Sequence, residues 1–279
     1  MNLPYRLPVT LDDTLAVYSD LIRYRELFSN LFRRDFQAKY KGSVLGVAWS
    51  LLNPLVLLGV YLVVFGVLLK NKTIVHYPVY LLAGLACWIF FSVSLQSAAR
   101  SMVDSAELIK KVRFPRQLVA LSMVATQAVT FGVMMVILVG LSLIFVPEAR
   151  STVWLAIPLA VVFAGFVAGM ALLVACLNVL YRDVEHVLTA ALLPWFFLTP
   201  ILWQVASLPD KAQSHHALLD LLHWGNPVAP GIYAVRDSLW SGNTPRIADV
   251  VYLVVASALA LALGAFVFNR VDDRIAVEL

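Results

Sequence analysis

Six stretches of this 279-residue chain contain no Asp, Glu, Lys or Arg, and each is long enough to cross a lipid bilayer. They run from Gly42 to Leu69, Thr73 to Ala99, Gln117 to Pro147, Ser151 to Tyr181, His186 to Pro209 and Val250 to Asn269. A helix needs about 20 apolar residues to traverse roughly 30 Å of hydrocarbon. Bare backbone in lipid must bond to itself, so continuous helices are the default. The spans are accordingly placed at 42–69, 77–99, 117–146, 152–180, 186–206 and 250–269. Composition agrees: 61% of the residues are hydrophobic, 14% are charged and the mean hydropathy is +0.83, unlike a water-soluble domain of this length.

The cations sort between the runs. Segments before the first run, between the second and third, between the fourth and fifth, and after the sixth hold 15 of the 21 Lys and Arg residues. The alternate segments hold only Lys70, Lys72, Arg150, Lys211, Arg236 and Arg246. By the positive-inside bias the basic segments face the cytoplasm, with both termini inside. Met1 to Thr10 lacks the apolar core of a signal peptide, so the first span is expected to act as the insertion signal.

Three segments do not read as simple spans. Over 14–39 apolar residues recur at helical spacing, among them Leu21, Tyr24, Phe28, Leu31 and Phe32, with basic residues between. That pattern predicts an amphipathic helix in the membrane interface, or one packed on the protein itself. Residues 101–114 form a short mixed helix, too polar to cross and ended by Pro115. The segment 208–246 has apolar pieces broken by Pro209, Pro227, Pro230 and Pro245, and is expected to form short re-entrant or interfacial helices on the outer side. The fold class is therefore an all-α membrane protein, one transmembrane domain over 1–279 with six spans.

Several chemistries are missing. No G-x-x-x-x-G-K-[ST] loop is present, so the chain cannot hydrolyse ATP by that route. The five histidines make no H-E-x-x-H or similar ligand set, and no metal is expected. Cys87 and Cys176 lie singly in apolar runs and read as small buried side chains. No run carries the charge that ion-coupled pumps keep at membrane depth, which points to energy supplied by a cytoplasmic partner. The modest net charge of +4 is distributed as topology requires, and nothing suggests a nucleic-acid partner. Gly42 to Gly46 and Gly165 to Gly169 match G-x-x-x-G, a hint of close helix packing.

Four segments carry a resemblance. R-R-D-F-Q-A-K-Y-K-G-S-V-L-G-V-A-W-S-L-L-N-P-L from Arg33 resembles the approach to the first span of type-2 ABC exporter permeases that move O-antigen, teichoic acid and related lipid-linked polysaccharides. L-I-K-K-V-R-F-P (Leu108 to Pro115), N-V-L-Y-R-D-V (Asn178 to Val184) and N-P-V-A-P-G-I-Y-A-V-R-D (Asn226 to Asp237) agree in order and spacing. The resemblance implies a homodimer carrying two copies of a separate nucleotide-binding subunit, with ATP and Mg held there and no cofactor in this chain. It makes 101–114 the coupling helix, with Glu107, Leu108, Lys110, Lys111, Arg113 and Phe114 at the ATPase contact. The cargo would be a polyprenyl-diphosphate-linked glycan.

An anionic head group needs cations at membrane-surface depth, and Arg33, Arg34, Lys39 and Lys41 are the dense basic group there. The same four could instead fix topology and attract anionic membrane lipid. A glycan sliding through a channel wants flat aromatic walls, for which Trp49, Tyr61, Trp88, Trp195, Phe196, Phe197 and Trp203 are candidates. Interfacial anchoring is their competing explanation. The alternatives at this stage are a type-2 ABC permease for a drug or small lipophile and, further off, a membrane enzyme or secondary transporter.

Overall fold

A computed structural model describes residues 11–43, 46, 48–61, 63–64, 74–112, 114–205, 208–209 and 213–278. Among these the ordered elements are helical, without a strand. In chain order they are α1 (Leu11–Arg23), α2 (Arg25–Tyr40), α3 (Ala48–Tyr61), α4 (Tyr77–Asp104), α5 (Ala106–Lys111) and α6 (Gln117–Phe145). Two 3-10 turns, Pro147–Ser151 and Val153–Leu155, lead into α7 (Ala156–Leu180) and α8 (Asp183–Leu198). Then come α9 (His216–Trp224), α10 (Ala229–Trp240) and α11 (Ile247–Glu278).

Four of the described helices are long and apolar enough to cross a membrane: Tyr77–Asp104, Gln117–Phe145, Val153–Leu180 and Ile247–Asp272. Neither of the other two apolar runs holds a helix of that length among the described residues, and residues 65–69 of the first lie outside them. In the first, the described helix covers only Ala48–Tyr61. In the fifth, α8 starts earlier than the run and stops at Leu198, where Thr199 turns extended (ψ 131°) ahead of Pro200. A residue before proline is pushed out of the helical region, which explains the stop. Sixteen residues of α8 span only about 24 Å at 1.5 Å per residue.

The bundle is built around α4, which is buried on nearly every side and touches α3, α6, α7, α8 and α10. Pro78 in its first turn fits where an amide has no helical partner, after His76 in a left-handed turn. Large apolar side chains such as Val136, Ile144, Val161, Leu259 and Leu263 are exposed on the outer faces of α6, α7 and α11. Such faces suit lipid rather than water.

Helices α7 and α11 make the most extensive pairing. A Cβ placed on Gly169 would lie 2.3 Å from the carbonyl carbon of Ala260, and one on Gly165 would lie 2.8 Å from Ser257 Oγ. Facing them, a Cβ placed on Gly264 would lie 2.6 Å from the Gly169 carbonyl oxygen. The second G-x-x-x-G pattern is thus a contact within the chain. The first is a turn: Gly42 (φ 77°) and Gly46 (φ 49°) take left-handed backbone, and a Cβ on either would meet nothing within 4 Å. They separate α2 from α3, so the helix begins at residue 48 and not at 42.

The N-terminal arm also departs from a single flat helix. It breaks at Tyr24, and its apolar face packs on the protein's own helices, with Val17 and Leu31 buried and Leu21, Tyr24, Leu27 and Phe28 against the core. Tyr18 Oη donates to the Leu261 carbonyl at 2.8 Å, which fixes α1 to α11. Ser122 Oγ donates to Asp35 at 2.6 Å, fixing α2 to α6. One end of the bundle therefore gathers the arm α1–α2, the C-terminal part of α11, α5, and the junctions α4–α5, α5–α6 and α7–α8. We call it the basic end. The opposite end carries α9, α10 and the segment 199–205.

Candidate functional site

Three features of the chain are candidate sites: an aromatic cleft, the basic end, and a buried arginine near the opposite end.

The cleft lies between α3, α4 and α8, has a volume of ≈ 320 Å³ and is lined by Tyr61, Trp88, Leu192, Leu193 and Phe196, with Ser92, Gln96 and Thr189 as its polar members. Trp88 and Phe196 stand 5.6 Å apart at their ring centroids, and Tyr61 is 6.2 Å from Phe196. Phe197 continues the series at 5.3 Å but points outward and is exposed. Trp195 packs edge-on to Trp88 and Phe91, and its Nε1 donates to Asn226 Oδ1 at 2.9 Å. Its indole is tied into the frame rather than offered to a ligand. Trp49, at the start of α3, is exposed and is not among the residues lining the cleft. Trp203 lies at the far end, in a different cavity. The seven aromatic candidates thus divide, and Tyr61, Trp88 and Phe196 are the ones that line the cleft.

At the basic end α5 is anchored by buried Ile109, with Leu108 and Phe114 packed against the core. Glu107, Lys110 and Lys111 are exposed; Lys111 Nζ lies 3.2 Å from Glu107, an i, i+4 pair in open solvent. Exposed pairs of this kind contribute little to stability. Arg113 lies outside the described residues. The expected helix over 101–114 is shorter than anticipated, because residues 101–104 continue α4 and a turn at Ser105 precedes α5. Its seat is firm. Asn178, buried, donates to the Ala99 carbonyl at 2.8 Å and accepts from the Glu185 amide at 3.0 Å, joining α4 to α8. Arg100 pairs with Glu185, and Arg116 pairs with Asp272 of α11 at 2.8 Å.

The four basic candidates of the arm are not one cluster. Arg34 pairs with Asp35 at 2.8 Å and donates to Ser105 Oγ at 3.4 Å, so it braces the α4–α5 turn. Lys39 Nζ donates to Gln127 Oε1 at 2.8 Å and reaches Thr130 Oγ1 at 3.5 Å. Gln127 in turn donates to Ser97 Oγ at 3.4 Å. Gln127 is about 15 Å along α6 from its first residue, so this ammonium enters a region that sequence alone marks as charge-free. Arg33 is exposed beside Arg25, Glu26, Ser29 and Asn30 around a surface groove of ≈ 460 Å³. Lys41 is exposed in the turn after α2.

The residue that sequence reasoning missed is Arg236. It is only 1% exposed, stacks 4.0 Å from the Tyr80 ring and 4.4 Å from the Tyr233 ring, and donates to the Pro200 carbonyl at 2.8 Å. Tyr80 Oη donates to the Trp203 carbonyl at 2.7 Å, so both side chains fasten the irregular segment after α8. Burial pushes the neighbouring Asp237 carboxyl above its ordinary range, against the pull of Arg236. The signal was its spacing: Arg236 follows Tyr233 by one turn of the same helix.

Residues 26–240 match the ABC-2 type transporter family. The chain belongs to that family. It is also 28% identical over 262 residues to the O-antigen export system permease protein RfbA of Myxococcus xanthus, covering 94% of this chain and 98% of that one. A protein of the same name from Klebsiella pneumoniae is 29% identical over 253 residues, covering 90% of this chain and 94% of its own. This ABC-2 subunit is a multi-pass membrane protein, and Asn178, Asn226 and Arg236, each within a segment of the resemblance, are among the side chains that tie its elements together.

Proposed function

We propose that the chain is the membrane subunit of an ATP-driven exporter that moves lipid-linked cell-envelope polysaccharide across the cytoplasmic membrane. It acts as a homodimer over two copies of a separate ATPase, which carries ATP and Mg. The observation that carries this reading is the aromatic cleft, because it opens on an apolar face where a second copy can close it. The exposed residues Leu55, Val56 and Val60 of α3 and Leu193, Phe197 and Leu198 of α8 flank it. Aromatic walls with a few amides and hydroxyls suit a neutral sugar chain better than an ion. The names of the relatives support the same cargo.

On this reading the basic end is cytoplasmic, six segments cross the membrane, and α5 docks on the ATPase with its charged face. Arg33 and Lys41, the outward-facing cations of the arm, are the pair that meets a diphosphate head, while Arg34 and Lys39 hold the arm in place. Reporters fused at Asp104 and after Asn269 should read cytoplasmic, and one at Lys211 external; an external reading at Asp104 would invert the topology and remove the coupling role of α5.

Depletion decides the cargo. Lipid-linked glycan should accumulate on the inner leaflet within a few generations of depleting this subunit, measured by extraction and chromatography of the lipid fraction. Unchanged glycan together with increased sensitivity to small lipophilic compounds would replace the polysaccharide by a drug-like substrate.

A further inference from the structure

At the end of the bundle away from α5, two adjoining cavities of ≈ 490 and ≈ 460 Å³ open among the segment 200–205, α9, α10 and the residues before α11. Gln204, Tyr233 and Arg246 border both, so the two form one groove. Each is within the roughly 300–1,000 Å³ of small-ligand clefts.

Its walls are aromatic. Trp203 and Trp224 line the first cavity, Trp240 the second, and Tyr233 the junction. These rings are held in place. Tyr252 Oη donates to the Trp224 carbonyl at 2.9 Å, and Trp240 Nε1 donates to the Val75 carbonyl at 2.5 Å. His223 Nε2 lies 2.6 Å from Oδ1 of the buried Asp249, which fastens α9 to α11. Tyr233 is backed by the Arg236 guanidinium.

Hydrogen-bonding groups alternate with the rings: Asp220 and Gln204 in the first cavity, Asp237 and Arg236 in the second. Arg236, which lines the second cavity, is 1% exposed, and its Nε is a buried donor with no hydrogen-bond partner among the described residues. Acids and bases are mixed along the groove, with Asp220, Glu148 and Asp237 opposing Arg236 and Arg246. An isolated anion would meet carboxylates, and a lipid tail would strand the polar groups. A sugar ring fits both parts, since its C–H face packs on an aromatic ring and its hydroxyls bond to carboxylates, amides and guanidinium.

From this geometry we infer that the groove is a saccharide-binding site, taking a few neutral sugar residues of a glycan chain. That the glycan is the exported one rests on the function proposed above; that the groove binds sugar does not. At that end of the protein the site would hold the chain as it leaves and oppose its return.

The test uses the full-length protein in lipid nanodiscs and the oligosaccharide repeat released by mild acid from the surface polysaccharide of the source cells. Tryptophan fluorescence and saturation-transfer NMR should show saturable binding. Trp224→Ala and Asp220→Ala, both at exposed positions, should each weaken it at least about ten-fold without moving the thermal transition. Trp154→Ala, at an exposed tryptophan away from the groove, should leave it unchanged. No saturable binding by the wild type at millimolar oligosaccharide, or wild-type affinity in both groove variants, would overturn the assignment. Displacement of the oligosaccharide by inorganic phosphate alone would do so too, in favour of an anion site. Absent binding in a protein whose depletion still accumulates lipid-linked glycan removes this inference only. Saturable binding without such accumulation removes the export reading only.

Discussion

Leucine at position 169 should leave the chain unable to close its central helix pair, and the purified protein should lose its cooperative thermal transition and elute as aggregate. The reason is geometric. A Cβ on residue 169 would stand 2.3 Å from the carbonyl carbon of Ala260 and 2.4 Å from the amide nitrogen of Leu261, both backbone atoms that cannot swing aside. Overpacking a well-packed core typically costs about 1–3 kcal/mol because neighbouring side chains can shift. Here α11 would have to move as a rigid rod, and with it the Tyr18 contact to Leu261 and the Arg116 pair with Asp272. In a membrane the loss is heavier, because separated helices gain only lipid contacts and no hydrophobic term pushes them back together. Gly132→Leu on α6 is the control, since a Cβ there meets nothing within 4 Å. Equal melting and yield for the two variants would show that the close approach of α7 and α11 is not what holds the bundle.

The same contact marks the boundary of what the sequence discloses. Long apolar runs are legible because a bilayer demands them, and the helices over 77–104, 117–145, 153–180 and 247–272 follow the runs closely. The G-x-x-x-G spacing at Gly165 and Gly169 was legible as a pattern. Its partner, the Ser257, Ala260 and Gly264 face of α11, was not, because small residues abound in apolar sequence and only tertiary packing selects which of them meet. Where a run departs from a helix, the cause is a distant group. Pro200 stops α8 locally, yet the segment after it persists because Arg236 and Tyr80 satisfy its carbonyls from other helices. Arg236 itself counts as one more loop cation on charge alone, and its burial depends on two tyrosine faces brought from α4 and α10. The arm behaves likewise. Its amphipathic spacing was plain, but whether membrane or protein covers the apolar face is decided by complementarity with α6 and α11. On the candidate sites, residue type was informative and grouping was not: Tyr61, Trp88 and Phe196 converge, whereas Trp49 and Trp203 do not join them. Equally, Arg34 and Lys39 turn inward to Asp35 and Gln127 while Arg33 and Lys41 stay outside.

Reversing both charges at Lys110 and Lys111 should abolish export while leaving the subunit folded and inserted. Helix α5 combines a fixed seat with a loose exterior: Ile109 is buried, and Lys111 and Glu107 are 74% and 90% exposed in their side chains. Their pairing adds little to the fold, so the reversal leaves the bundle intact. A partner surface docked there would instead find two of its acidic groups facing glutamates, each left unpaired at a cost of about 1–3 kcal/mol. At roughly 1.4 kcal/mol per decade, the two losses together weaken the contact by at least about 25-fold. ATP hydrolysis by the complex should then stop responding to glycan, while the ATPase alone is unaffected. A swap separates the partner contact from the pair within the helix. Glu107→Lys with Lys111→Glu restores an i, i+4 attraction on the same face but presents it in reverse order. If α5 matters only through its own pair, the swap exports normally; if it matters through a partner, the swap fails as the double reversal does. Normal export by the Lys110→Glu, Lys111→Glu protein would identify α5 as a solvated connector, and the coupling contact would have to be sought elsewhere on the basic end, beginning with the exposed loop at Tyr181 and Arg182.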